Sequence, residues 1–434
     1  MKDFMQSISK NIFLKNLQLF LSGKSLLAIT TLIIGIITAR LLTPENRGLY
    51  TLFFTISGLF VTIFHVGISP ANIYFTNIKK ININILMGNT LMYLFVSMCS
   101  FGLLLFLVAL FDFTGPFTTS QPWIIWFMLW VTVSYTLTEV CISGLIYAYN
   151  KYKFLNKSLI YQSTALLLSC LLIYAVESDL EKSLGLRVSF LLFFTFWFVH
   201  RFIKLSLTKK ISFSFDILKK QLKFGSKNWL QNLIGFLNVR SYLLLLGILS
   251  SPTVVGLFSV AWIFVEVLRF FPDAVATMIL PELTNNKSKN QQVLLTIKAL
   301  KIIFYLVLLA SLFFYTTSDY IIPFIFGPAY QESASISKLL MLGAAFGVIY
   351  QVLTRYYTSQ AQQIFSIITG SCGLAIGLIC SFILIPKSGG EGAAIAYLIS
   401  SISTALLSIY FFCKTTATPI MKVIKISKED FSIT

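Results

Sequence analysis

Charge is what this chain has least of. Only 12% of its 434 residues are Asp, Glu, Lys or Arg, about half the share of a soluble domain. The hydrophobic share is 56% and the mean hydropathy +0.82, a balance that excludes a water-soluble fold. Acidic residues number 16 against 34 basic ones. The resulting excess of +18 sits in short loops between apolar runs, which excludes a nucleic-acid surface and points to a membrane as the acidic partner. Cysteine chemistry is lacking too. Cys99, Cys141, Cys170, Cys372, Cys380 and Cys413 all lie in apolar segments, with no C-x-x-C pair and no histidine cluster beside them. They read as small buried apolar residues rather than metal ligands. There is no Walker loop, no nucleophile elbow and no metal-ligand spacing. The chain is therefore expected to be no enzyme and to hold no cofactor. Any transport is expected to run on a substrate gradient, on an H+ or Na+ gradient or on coupling to synthesis elsewhere, not on ATP bound by this chain.

What the chain does have is apolar runs of bilayer length, which needs about 20 residues per helix. They span 17–42, 47–70, 85–111, 123–149, 158–177, 184–204, 224–249, 254–280, 293–317, 335–358, 365–385 and 393–413. Met1 to Lys15 lack a signal-peptide cleavage pattern, so the first run is expected to stay as a span. Basic residues crowd the loops on the side of the N-terminus, whereas the opposite loops hold only Arg47, Lys182, Arg187, Lys338 and Lys387. The positive-inside rule then puts both termini in the cytoplasm. The expected organisation is a bundle over 1–204, a basic cytoplasmic linker over 205–223, a second bundle over 224–413 and a cytoplasmic tail over 414–434. Phe213, Phe215, Ile217 and Leu218 beside Lys219 and Lys220 make the linker partly amphipathic, fit either for water or for an anionic leaflet.

The two halves repeat each other. Leu42-Thr43-Pro44-x-x-x-Gly48-Leu49-Tyr50 returns as Ser250-Ser251-Pro252-x-x-x-Gly256-Leu257-Phe258, and Ser22-Gly23-Lys24-Ser25 is echoed by Gly225-Ser226-Lys227-Asn228. Pro70 matches Pro281 and Phe154 matches Phe365. Repeats running in the same direction relate two bundles by an axis along the membrane normal, a transporter plan.

Ionisable groups inside a span are costly and usually face a cavity or a partner. Lys24, Arg40, His65, Glu139, Lys227, Arg240, Glu266, Arg269, Asp273 and Arg355 are the candidates. At 100° per residue, Lys24, Thr31, Gly35 and Thr38 share one stripe of the first span, as Lys227, Gln231 and Asn238 do on the seventh, with Asn228 and Asn232 beside them. These stripes suit a wet lumen; snorkelling of the lysines to the inner surface is the plainer alternative. Arg240 lies deep enough to need a protein or water partner. Glu266, Arg269 and Asp273 fall on one face, and a self-neutralising ladder with Glu266 paired to Arg269 is expected. Glu139 has no local partner and sits mid-span, a position for a proton or cation. His65 is expected to be a lumen-facing hydrogen bonder.

Three segments resemble the polysaccharide flippases of the multidrug/oligosaccharidyl-lipid/polysaccharide exporter superfamily, in particular the Wzx-type O-antigen flippases. They are Ala39-Arg40-Leu41-Leu42-Thr43-Pro44-Glu45-Asn46-Arg47-Gly48-Leu49-Tyr50, Ile322-Pro323-Phe324-Ile325-Phe326-Gly327-Pro328-Ala329-Tyr330, and Ile385-Pro386-Lys387-x-Gly389-Gly390-x-Gly392-Ala393-Ala394-Ile395-Ala396. The resemblance covers essentially the whole chain and is structural in content, since Pro and Gly shape turns and close helix contacts. It implies an all-α integral membrane protein of about 12 transmembrane helices, in two parallel-repeat six-helix bundles around a central cavity. The implied cargo is an undecaprenyl-diphosphate-linked oligosaccharide, an O-antigen unit or similar, carried from the cytoplasmic to the periplasmic leaflet of the bacterial inner membrane by alternating access. Lys24, Arg40, Lys227, Arg240 and Arg355 are the positions available to hold the diphosphate, with Gln231, Asn238 and His65 as polar lumen groups and Glu139, Glu266, Arg269 and Asp273 for ion coupling. The partners implied are the lipid-linked glycan, membrane lipids and a polysaccharide polymerase complex, with a monomer as the working unit because one chain holds both halves. Capsular or teichoic-acid precursor export stays open, as does a cation-coupled drug antiporter of the same superfamily, although in-span acids are few. A peptidoglycan-precursor flippase usually has more spans, and the buried charges argue against a mere scaffold.

Overall fold

The structure, a computed structural model, describes residues 25–110, 122–149, 151–175, 180–206, 211–284, 288–360 and 362–425; the side chains of Lys227, 270–271 and 273–284 are among the few within helices that it does not describe. No strand occurs among the described residues. The helices are α1 (Ser25–Leu41), α2 (Pro44–Phe64), α3 (Ile68–Asn77), α4 (Ile83–Leu110), α5 (Pro122–Ala148), α6 (Tyr152–Ala175), α7 (Leu180–Ser206), α8 (Phe215–Leu249), α9 (Pro252–Thr284), α10 (Lys289–Phe326), α11 (Ser333–Ser359), α12 (Gln363–Thr416) and α13 (Ile420–Ile424), with a 3-10 turn at Pro328–Tyr330.

Ten of these helices are long and apolar enough to cross a membrane, and the protein is a multi-pass membrane protein. Helix is the form that satisfies every backbone group within one segment in hydrocarbon. The 54 residues of α12 form two arms, because Gly389 adopts φ 51 and ψ −122 inside it, three residues after Pro386. Ser400 Oγ on the second arm donates to the Gly373 carbonyl on the first at 2.8 Å, so the arms lie side by side. Counting α12 as two and adding the apolar α1, each of the twelve expected runs has its helix.

Local chemistry sets the boundaries. Pro44, Pro122 and Pro252 open α2, α5 and α9, where the missing N–H costs nothing and the fixed φ suits a first turn. The run expected at 47–70 is broken instead. Val66 (φ 36) and Gly67 (φ 70) turn left-handed between α2 and α3. The carbonyls freed at the end of α2 are taken up by neighbours: Tyr93 OH donates to Phe64 O and Trp229 Nε1 to Thr62 O at 2.8 Å.

The chain forms two compact units, one of residues 1–42 and 53–233, the other of 43–52 and 234–434. The first has its core at Leu86, Cys141, Ile142 and Phe198. The second is built on Ile303, Ala345, Leu353 and Phe412. Cys99 and Cys372 are exposed, which corrects the expectation that all six cysteines are buried. In a membrane protein the outer faces are themselves apolar, so hydropathy alone does not separate a core position from a lipid-facing one.

The linker expected over 205–223 has structure of its own. It is already helical from Phe215, and the division between units falls within α2 and α8. Asn89 Nδ2 donates to Gln221 Oε1 (2.8 Å), Gln221 Nε2 to Asn72 Oδ1 (2.7 Å), and Asn72 Nδ2 to Thr90 Oγ1 (3.0 Å). Ser214 N donates to Asn89 Oδ1 at 2.9 Å. Asn72, Asn89, Thr90 and Gln221 are all fully buried. A buried polar chain with its partners in place fixes one arrangement, and this one fastens the start of α8 to α3 and α4.

In the second unit the duplicated Pro-x-x-x-Gly motifs meet each other. A Cβ on Gly48 would overlap the Pro252 carbonyl oxygen, and a Cβ on Gly256 would overlap the Pro44 carbonyl oxygen. The contact is reciprocal, and it brings two helix backbones together at a distance that only glycine permits. Tyr50 and Phe258, matching positions two residues beyond, are both buried.

Candidate functional site

Glu139 stands on α5 in the first unit, half-buried, one turn after Tyr135, which bonds it through its hydroxyl. Gln162 of α6 donates through Nε2 to Glu139 Oε2 at 3.2 Å and to Tyr135 OH at 2.7 Å. Among the described residues no cation forms a salt bridge with Glu139. Gln162 Oε1 is buried and accepts no hydrogen bond. A carboxyl held by neutral donors and facing a spare amide oxygen keeps its capacity to exchange a proton or a small cation.

His65 closes α2 in the same unit. It is 7% exposed. Its Nδ1 lies 3.1 Å from the Thr62 carbonyl, and because a carbonyl only accepts, the proton is on Nδ1. Nε2 then accepts from Asn232 Nδ2 at 3.5 Å. The polar stripe of α1 is only partly open. Thr31 is exposed, but Thr38 is fully buried and donates to the Ile34 carbonyl at 2.6 Å. Arg40 is exposed at the end of α1. Lys24 and the side chain of Lys227 lie outside the described residues.

In the second unit Arg240 has the partner its depth required. Its Nη2 reaches Glu266 Oε1 at 2.7 Å. The expected Glu266–Arg269 pairing is therefore corrected: Glu266 turns to α8, and Arg269 bonds the hydroxyl of Tyr397 on α12. Two residues on one helix are neighbours at i, i+3, but a facing helix offers shorter geometry. The side chain of Asp273 lies outside the described residues. Asn238 donates through Nδ2 to the carbonyls of Ile234 and Gly370, both at 2.9 Å, which ties α8 to α12. Gln231, in the first unit, is half-buried. Arg355, near the end of α11, is half-buried, and its Nε is enclosed with no hydrogen-bond partner among the described residues. Of the five cations expected to hold a diphosphate, it is the one inside a span whose described surroundings leave a donor unused.

Several groups were not singled out from the sequence. Arg47 and Arg187, counted with the outer loops by charge, both sit in helices, Arg47 in the first turn of α2 and Arg187 within α7. Arg47 is 7% exposed and donates to Ser259 Oγ at 3.4 Å; Arg187 lies over the Phe54 ring at 4.1 Å. Pro44 as a helix-opening residue was the available signal for Arg47. Lys301 of α10 is 4% exposed and lies inside the run expected at 293–317, where its charge against apolar neighbours was the available signal. Gln162 carried no formal charge to draw notice. No cluster of three or more His, Cys, Asp or Glu side chains suited to a metal occurs among the described residues.

The helices define an all-α multi-pass membrane protein, and solved structures share its fold. A lipid II flippase MurJ in an inward closed conformation is similar with a TM-score of 0.76 at 15% identity, covering 93% of this chain and 89% of that one. A multidrug resistance MATE family transporter of the MOP superfamily, inward-facing, gives 0.69 at 14% identity over 90% and 94%. The Vibrio cholerae MATE transporter VcmN, as a mutant, gives 0.61 at 12% identity over 96% and 99%. No curated protein matches the sequence. Residues 37–335 match the family described as Polysaccharide biosynthesis protein, and this chain belongs to that family.

Proposed function

We propose that this protein is a flippase that moves an undecaprenyl-diphosphate-linked oligosaccharide, an O-antigen unit or similar precursor, from the cytoplasmic to the periplasmic leaflet of the bacterial inner membrane by alternating access. Both termini lie in the cytoplasm, the chain works as a monomer that serves a polysaccharide polymerase, and it performs no catalysis of its own. The observation that carries this reading is Arg355: a half-buried side chain whose enclosed Nε has no hydrogen-bond partner among the described residues, in a chain of a polysaccharide biosynthesis family. A diphosphate is the anion that a planar fork of donors fits best. Lys24 and Lys227, one in each repeat, are the capture pair for the same group at the inner surface.

The test is complementation of cells that lack their own flippase, with expression checked in the membrane fraction. Arg355→Ala is expected to lower surface polysaccharide roughly tenfold or more, since a hydrogen bond to a charged group contributes about 1.5–3 kcal/mol. Arg355→Lys is expected to recover part of it. The Lys24→Ala/Lys227→Ala double variant is expected to fall below either single one. Full export from well-expressed Arg355→Ala would sink the assignment. Glu139, with its ring of neutral donors, favours coupling of this transport to H+ or Na+.

A further inference from the structure

The first two turns of α8 show a face that transport does not require. Asp216, Lys219, Lys220 and Lys223 follow one another at i, i+3, i+4 and i+7, and all four are exposed. The opposite face, with Leu218 and Gln221, is buried against the first unit. The four charged side chains line a recess of about 310 Å³. Among the described residues, none of the three ammonium groups meets a hydrogen-bonding or ion-pairing partner, and Asp216 does not neutralise them through a salt bridge. Immediately before the recess, Phe213 is 50% and Phe215 69% exposed.

This face is also held in place. Ser212 N donates to the Asn84 carbonyl at 3.3 Å and Ser214 N to Asn89 Oδ1 at 2.9 Å. Gln221 is gripped between Asn72 and Asn89 on the buried side. The lysines are thus presented by a fixed platform, not by a free loop.

Water alone accounts for exposed lysines but not for two exposed phenylalanines beside them. A soluble phosphate accounts for the lysines and again leaves the rings unused. The headgroup region of a bilayer accommodates both, with rings at the polar boundary and ammonium groups on the phosphate. We propose that this recess is a binding site for an anionic phospholipid, its phosphodiester held among Lys219, Lys220 and Lys223 and its glycerol end against Phe213 and Phe215. The assignment uses the membrane-spanning fold but neither the cargo nor the sidedness proposed above, so it stands or falls separately.

The experiment is native mass spectrometry of the full-length purified protein released from phosphatidylcholine nanodiscs with and without phosphatidylglycerol. The protein is expected to retain phosphatidylglycerol in preference to phosphatidylcholine. The Lys219→Gln/Lys220→Gln/Lys223→Gln variant is expected to bind phosphatidylglycerol about a hundredfold more weakly, from about fivefold per lysine near an anionic surface. Asp216→Asn is expected to bind it more tightly. Lys79→Gln/Lys80→Gln removes two exposed lysines from the loop after α3 and is expected to change nothing. Melting temperatures in phosphatidylcholine should match across the set, because every substituted side chain is exposed. Equal retention by the triple variant, equal loss in the Lys79/Lys80 control, or displacement of the lipid by inorganic pyrophosphate at matched phosphate concentration would each overturn the site.

Discussion

At the scale of single residues, the in-span charges were legible because a charge stands out against an apolar run, whereas their partners were not. Arg240 and Glu266 lie on different helices, and no spacing rule joins them. Their separation had to come from the fold. The pair is partly open, with side-chain exposures of 33% and 42%, so its contribution is small, about 1 kcal/mol or less. Arg240→Ala is expected to lower the melting temperature slightly in a detergent thermal scan, and Glu266→Gln on top of it to restore most of the loss. Glu139→Gln asks a different question. Tyr135 and Gln162 can still bond an amide, so stability is expected to hold. In proteoliposomes the dependence of transport on the H+ or Na+ gradient is expected to disappear. Transport by Glu139→Gln that keeps the wild-type response to both gradients would rule Glu139 out.

At the scale of elements, hydropathy located the helices and misjudged their ends. The run expected from 47 starts on Arg47 itself and counts it with the outer loop, whereas the proline at the head of α2 begins the helix three residues before it. The break at Val66 and Gly67 was invisible to hydropathy because both sides of it are apolar. It is maintained by contacts from α4 and α8 that a linear pattern does not contain. The reversal at Gly389 was legible, since its glycine-rich stretch follows a proline. The reciprocal glycine crossing makes a sharp prediction. Gly256→Ala places a methyl group on a backbone carbonyl that cannot rotate away, and a loss of about 1–3 kcal/mol or more is expected. Gly235 has open space around its Cα, so Gly235→Ala is expected to be neutral or to stabilise by up to about 1 kcal/mol. Parallel thermal unfolding of the two variants checks both.

At the scale of the whole molecule, the family match and the shared fold agree with the repeat and with the twelve runs read from the sequence. Sidedness is a separate matter and is set by loop charge. Lys387 and Lys79, both exposed, are placed on opposite sides by the proposed topology. In a cysteine-free background, Lys387→Cys is expected to react with a membrane-impermeant maleimide added outside intact cells. Lys79→Cys is expected to react only after lysis. The opposite pattern would invert the topology.

The meeting of Pro44-x-x-x-Gly48 with Pro252-x-x-x-Gly256 has a consequence for ancestry. A patch that fits its own copy is what a symmetric dimer presents, each partner offering the same surface to the other. A single half bearing this motif would have carried a self-complementary seam before the gene doubled. Neither Glu139 nor Arg355 has a charged counterpart at the matching place in the other half, whereas the proline and glycine of the seam stand in both.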